Sequence, residues 1–293
     1  MKRVRAMYFS GTGTTAKVTS AVAYNMWEHM KDAAGTSQYE KAPNIDFTPK
    51  AARHEKYAFD ADDIVIFGTP VIAGRVPNVL LKFLDTLEGG GAMAVPVVLY
   101  GNRNFDDALI ELRNILEEKG FHTVAAAAFI GEHSFSKTLA AGRPDNEDMK
   151  IAGDFAKDAA GKILGLMEAA EGDDAKLAAA LKAAGPVHVE GEDPIRPYYK
   201  PRDRNGNHIN ILKVKPKLNE TKCDKCGICA DVCPMGSISK DAPGIVDGIC
   251  IKCCGCVKKC PQEALYFDDA GYLYHKEELE FLYADRKEPE LFL

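Results

Sequence analysis

The sequence predicts an α/β protein: a doubly wound, five-stranded parallel sheet, followed by a small α+β domain organised around metal. Three observations point there. Short, near-continuous apolar runs alternate with amphipathic stretches up to about residue 168. A turn rich in glycine and hydroxyl groups follows the first run at once. All nine cysteines lie between Cys223 and Cys260.

The apolar runs are VRAMYF at 4–9, DIVIFGTP at 63–70, AVPVVLYG at 94–101 and TVAAAAFIG at 123–131, with a weaker one, NIDFTP, at 44–49. Runs without strict polar alternation suit parallel strands covered on both faces. Helices are expected between them, over 14–30, 77–87, 106–119 and 146–170. That alternation gives a three-layer doubly wound domain. Residues 171–185 read as an alanine-rich helix or connector, and 186–208, dense in Pro, Gly and charge, as a stiff linker with local turns. INILKVK at 209–215 is expected to be a strand leading into the cysteine block. The last residues are expected to form a short amphipathic helix, packed on its own domain, and an apolar tail. The expected division is therefore 1–170, a linker 171–208, a second domain 209–270 and a tail 271–293.

Composition narrows the function. The 293 residues are 46% hydrophobic and 27% charged, the balance of an ordinary globular protein. A net charge of −6 argues against a nucleic-acid partner, which would call for a basic face. No run approaches the roughly 18 apolar residues of a membrane span. The basic N-terminus runs into the glycine turn too soon to be a signal peptide, so a cytoplasmic location is expected. Clustered cysteines in such a chain point to metal rather than disulfides.

The cysteines form two copies of one run. Cys223, Cys226, Cys229 and Cys233 precede Pro234; Cys250, Cys253, Cys256 and Cys260 precede Pro261, each position 27 residues further on. A cubane iron–sulfur cluster needs four thiolates, and a tight C-x-x-C-x-x-C loop wraps three of its corners. Structural zinc uses paired knuckles separated by a longer loop, which suits this run less well. Over about 60 residues the block resembles bacterial two-cluster ferredoxins. That resemblance implies two [4Fe–4S] clusters with interlaced ligands: Cys223, Cys226, Cys229 and Cys260 on one, Cys250, Cys253, Cys256 and Cys233 on the other. Gly227 and Gly255 would let backbone N–H groups approach the sulfurs. Cys254 fits neither frame and reads as a spare thiol packed nearby.

The turn YFSGTGTT at 8–15 has two readings. As a dinucleotide fingerprint it needs an acidic residue at the end of a second strand about 20 positions on, and that window holds residues 33–35, before any strand starts. As a cup for a phosphomonoester it offers the hydroxyls of Ser10, Thr12, Thr14 and Thr15 beside a helix N-terminus, which suits a dianion. The second reading accounts for more residues. Here the first 165 or so residues resemble flavodoxins, whose phosphate loop, S/T-x-T-G-x-T, is matched by Ser10, Thr12, Gly13 and Thr15, with Gly11 and Thr14 in its open positions. The resemblance implies FMN, held further by the loop Thr69, Pro70, Val71, Ile72, Ala73, Gly74 and by Gly101, Asn102, Arg103 and Phe105. Phe105 is expected against one ring face. Ala73 and Gly74 are expected to form the turn facing the ring nitrogen N5. Asn102 and backbone near Arg103 would reach the polar edge, while Val71 and Ile72 make the other face aliphatic.

Other side chains carry weaker signals. His133 in GEHSFS reads as a structural histidine before a proton donor. Arg75 and Arg103 could face an anion or be ordinary surface arginines. Lys252, Lys258 and Lys259 could mark a docking face, with a solvated surface the plainer reading.

Taken whole, the chain resembles the flavodoxin–ferredoxin fusion proteins of anaerobes, the EFR-type ferredoxins. That implies electron transport between FMN, two clusters and redox partner proteins, since a flavin handles electrons singly or in pairs and each cubane one. An FMN-dependent reductase of a small organic acceptor, fed by the clusters, is the alternative, with a pocket among GEHSFS and YYKP. No acid–base dyad stands out to make it an enzyme. Association into homo-oligomers is left open.

Overall fold

The computed structural model describes residues 1–34 and 38–293. The chain opens with β1 (Lys2–Tyr8), the turn at 9–13 and α1 (Thr14–Ala34), then β2 (Tyr39–Lys41) and β3 (Ile45–Asp46). A 3₁₀ turn at Ala51–His54 leads to β4 (Asp63–Pro70), α2 (Asn78–Leu84), β5 (Met93–Tyr100) and α3 (Ala108–Glu118). The domain closes with β6 (His122–Thr123), β7 (Ala126–Ile130) and α4 (Asn146–Ala169). Then come α5 (Asp174–Ala184), β8 (Lys217–Leu218), α6 (Ile228–Asp231), α7 (Gly255–Lys258), β9 (Leu265–Tyr266), α8 (Ala270–Leu282) and β10 (Glu290–Phe292).

The main sheet runs β10-β7-β5-β4-β1-β2, with β3 also on β1 and β6 also on β5. All pairs but β10–β7 are parallel. Counting β2 and β3 as one interrupted edge, the parallel strands follow the 2-1-3-4-5 order of the flavodoxin-like fold. β4 and β5 are buried along almost their whole length, as central strands covered on both faces must be.

The sheet separates two cores. On one face α1 presents Val18, Val22, Met26 and Met30 at four-residue spacing, and α4 answers with Ala152, Phe155, Ala156, Ala159, Ala160 and Ile163. On the other, α2 and α3 lay Leu80, Phe83, Leu84, Leu109, Leu112 and Leu116 on Phe67, Val98 and Ala128. Asp145 caps α4 by accepting from Glu147 N and Asp148 N, in a reciprocal capping box.

The region after residue 208 departs from expectation twice. Residues 209–215 form no strand: Asn210 Oδ1 accepts from Leu212 N at 3.1 Å in a local turn, and Leu212 points out, 80% exposed. The ladder is instead Lys217–Leu218 against Leu265–Tyr266, antiparallel. The tail does more than pack a helix. β10 adds an antiparallel edge to the main sheet, pairing Leu291 with Ala127. The apolar core of the cysteine region is small: Cys229, Ile238 and Leu265, with Leu218, Val246 and Val257 beside them.

Candidate functional site

A cavity of about 480 Å³ opens at the carboxyl ends of β1, β4, β5 and β7, within the size range of ordinary cofactor sites. Gly11, Thr12, Thr14 and Thr15 line one end. α1 starts at Thr14 with no acidic residue in its first turn, so its free N–H groups and positive dipole end face the cup. Ser10 and Gly13 stand behind this wall. Ser10 Oγ accepts from Ala16 N at 3.1 Å and Ser10 N donates to Thr48 Oγ1 at 2.7 Å, bracing the turn.

The expected ring loops flank the middle of the cavity. Pro70, Val71, Ile72, Ala73 and Gly74 line it. Thr69 lies behind, buried, its hydroxyl without a partner among the described residues. Ile72 and Arg75 exchange backbone hydrogen bonds of 3.0 and 3.2 Å across Ala73 (φ +52°) and Gly74 (φ +77°), a tight turn with two left-handed residues. A Cβ on Gly74 would lie 2.2 Å from Asp106 Oδ2, so this turn is pressed against the next loop. Gly101 and Arg103 line that side.

Two expected ring contacts lie elsewhere. Phe105 is buried in the core, 5.6 Å from the Tyr100 ring, and is not part of the cavity wall. Asn102 turns its amide away: Nδ2 donates to Tyr283 O at 2.6 Å and Asp285 O at 2.8 Å, in the C-terminal tail. Arg75 is likewise spent, paired with Glu111 and stacked 4.7 Å from the Tyr198 ring.

The cysteines gather in two smaller cavities. One is lined by Cys223, Cys226, Cys229 and Cys260; the other by Cys233, Cys250, Cys253 and Cys256, with Cys254 beside them. Matching backbone donors attend both: Ser237 N reaches Cys233 Sγ at 3.4 Å and Ala264 N reaches Cys260 Sγ at 3.3 Å. Such N–H···S contacts are what favours a charged cluster. Among the described residues no three Cys, His, Asp or Glu side chains converge as a single ion demands; a cubane spreads its four thiolates over separate irons. Cys254 is buried, its Sγ 3.4 Å from Lys252 O and 3.5 Å from Tyr272 Oη. Burial pushes the Cys253 thiol up to about 11 and that of Cys254 to about 12.

The cavity at the carboxyl ends of the strands and the second cysteine cavity share a wall, for Cys250 and Cys253 line both. The contact is direct. A Cβ on Gly11 would sit 2.8 Å from Cys253 Cβ, and one on Gly255 would sit 2.6 Å from Gly11 O. Lys258 locks this face, its Nζ donating to Glu132, to His133 O at 2.7 Å and to Ser136 O at 2.8 Å. Lys258 is half-buried and Lys252 buried, leaving Lys259 as the exposed member of that trio. The solvated-surface reading fails for the other two because they grip neighbouring carbonyls. Arg53 reaches across to Pro234 O while holding Thr48 O at 2.6 Å.

Of the residues that close the cavity, the sequence marks Tyr199 and Pro201, within YYKP, together with His133 and its neighbours in GEHSFS; the others carry no local signal. Tyr199, Pro201, Leu212, Ile249, Ile251, His275 and Leu279 complete its lining. The segment 186–201 is a strap laid over the ring loops: Tyr199 N donates to Ala73 O at 2.8 Å, Tyr198 Oη to Val76 O at 2.8 Å, and Arg103 stacks 4.4 Å from the Tyr199 ring. Arg196 binds the buried Asp107 carboxylate and, with backbone donors, holds it down at about 2. His133, facing the cavity, accepts from Phe135 N at Nδ1, 3.1 Å away. Burial and then the charge of Lys258 push it down to about 3, and burial pushes His275 to about 4.

Residues 216–239 match the 4Fe-4S binding domain family. This supports at least one 4Fe–4S cluster. No curated protein matches the chain. Among solved structures, a flavodoxin from the domain Archaea is 17% identical over 55% of this chain and 98% of its own, with a TM-score of 0.38. An oxidoreductase from Corynebacterium diphtheriae is 15% identical over 56% of this chain and 98% of its own, TM-score 0.40. Rubredoxin oxygen:oxidoreductase from the anaerobe Desulfovibrio gigas is 16% identical over 62% of this chain and 37% of its own, TM-score 0.35. The strand order, not these likenesses, carries the fold. No helix is long and apolar enough to cross a membrane among the described residues.

Proposed function

We propose that the chain is an electron-transfer protein of the flavodoxin–ferredoxin fusion kind, passing electrons between FMN, two [4Fe–4S] clusters and external redox proteins. The shared wall supports this reading above all: Cys250 and Cys253 border both the flavin-type cavity and the second cysteine cavity. FMN, when bound, supplies the exchange between paired and single electrons. Thr12, Thr14 and Thr15 would hold its phosphate at the α1 N-terminus, and the loops at 70–74 and 101–103 its ring. Cys223, Cys226, Cys229 and Cys260 would hold the outer cluster, Cys233, Cys250, Cys253 and Cys256 the inner one. Exposed Cys226 gives a partner access to the outer cluster. The working units are 1–170 and 209–270, strapped by 171–208 and tied by the tail 271–293, in a cytoplasmic setting.

The carrier reading is favoured over a reductase of a small organic acceptor. Both histidines in the cavity wall are held neutral at ordinary pH by burial, so neither is an imidazolium acid of the kind a reductase of a small acceptor would use. An anaerobic reductive titration of reconstituted protein, followed by absorbance and EPR, tests the whole. Flavin and cluster signals are expected to bleach and equilibrate within one chain. An iron–sulfur band alone, with no flavin freed on denaturation, refutes the flavin site; reoxidation by a small acceptor with no protein partner refutes the carrier.

A further inference from the structure

The two cysteine runs repeat at a spacing of 27 residues, and so do their lysines: Lys225 precedes Cys226 as Lys252 precedes Cys253. Both take the same left-handed backbone, φ +59° and +55°. Their surroundings differ. Lys225 is exposed to solvent, whereas Lys252 is 9% exposed. The Lys252 ammonium donates to Cys250 O at 3.0 Å and Leu212 O at 3.1 Å, and among the described residues no carboxylate attends it.

A buried cation held only by carbonyls is costly; removing a lysine's charge from water takes several kcal/mol, on the order of what a buried partner must return. The anion on offer is the Cys250 thiolate, whose own backbone carbonyl the ammonium already holds, with whatever cluster it would ligate. We infer that Lys252 is a positioning residue for redox potential: its buried ammonium favours the reduced, more negative state of the inner cluster. The inference rests on the two-cluster reading above.

The physical need is specific to the inner site. A cluster walled off from water takes on an extra negative charge less readily than an exposed one, because the low dielectric disfavours it. Without compensation the inner cluster would lie below the outer one, and electrons arriving at Cys226 would stall there. A fixed positive charge on the same loop opposes that. Exposed Lys225 does the outer cluster no comparable service, since water screens it.

The test is EPR-monitored potentiometry of Lys252→Met, with Lys225→Met as the control and iron counted in each. Lys252→Met is expected to lower the midpoint of one cluster alone so that its reduced-to-oxidised ratio at a fixed potential falls about tenfold, about 59 mV for one electron. Lys225→Met is expected to leave both midpoints in place, and Lys252→Arg to restore the native value. Should Lys252→Met lose iron, Lys252→Gln keeps a donor to the carbonyls without the charge and carries the same expectation. Unchanged midpoints with full iron overturn the inference. So does a shift that Lys252→Arg fails to reverse. Wild-type protein with about four irons per chain rather than eight overturns the two-cluster reading, and this inference with it.

Discussion

Single residues are expected to set the affinity of the proposed hydroxyl cup. Thr12 and Thr15 line it, and a hydrogen bond from a neutral hydroxyl to a phosphate dianion contributes about 1.5–3 kcal/mol. Thr12→Val and Thr15→Val are therefore each expected to weaken FMN binding at least tenfold in a fluorescence titration, with iron content unchanged. Asp107 shows how one side chain governs a whole segment. It accepts from Glu192 N, Arg196 N and the Arg196 guanidinium, and it is held at about 2, below the usual carboxylate value. Its contribution is accordingly full above about pH 4 and is lost as the pH falls through 2. Hydrogen exchange at Glu192 and Arg196, corrected for intrinsic rates, is expected to accelerate across that window and to be fast at all pH values in Asp107→Asn. The place of the threonines in the cavity wall is legible in the sequence because they sit on one local turn. The direction of Phe105 is not, because its partners are the distant side chains of the core below the loop, Tyr100 among them.

Elements are legible where their pattern is local. The apolar runs mark β1, β4, β5 and β7, and the four-residue spacing on α1 marks its buried face. The strap and β10 leave no such mark, because their partners are distant: Tyr199 meets Ala73, and Leu291 meets Ala127. The tail is the more consequential of the two. It carries Tyr283 O and Asp285 O to the Asn102 amide, Lys287 Nζ to Arg103 O at 2.6 Å, and Arg286 to the α4 cap at Asp145. Deleting residues 284–293 is expected to raise the flavin release rate several-fold, read by fluorescence recovery, while the cysteine cavities keep their iron. Equal release rates would show that the tail does not support the ring loop.

At the scale of the molecule, the two halves depend on different things. The sheet domain has two full hydrophobic cores, whereas the cysteine region has a handful of apolar side chains. Metal ligation must supply what that small core cannot. Chelating the iron is expected to abolish structure over roughly 209–270 and leave the sheet domain melting cooperatively, seen by circular dichroism and hydrogen exchange. The docking of the halves turns on Lys258, whose Nζ meets three acceptors on the loop 132–136. Lys258→Met is expected to cost about 1–3 kcal/mol of docking and to slow flavin–cluster equilibration at least tenfold in flash photolysis. The interlaced cysteine sets can be read from spacing and resemblance alone, but the docking cannot. It arises from a lysine side chain and backbone carbonyls some 125 residues away in sequence, with no pattern linking them.

The meeting of Gly11 with Cys253 and Gly255 limits how such a chain can be rebuilt. Either loop could be exchanged for a relative's in isolation only if the incoming piece left the same few ångströms of backbone bare. A transplanted cysteine block with a side chain at 255 would strike the Gly11 carbonyl, and a transplanted phosphate turn without Gly11 would strike Cys253. The fusion is thus not a pair of interchangeable parts on a string. Inheritance of one half constrains the other, and a chimera must be cut around that contact rather than through the linker.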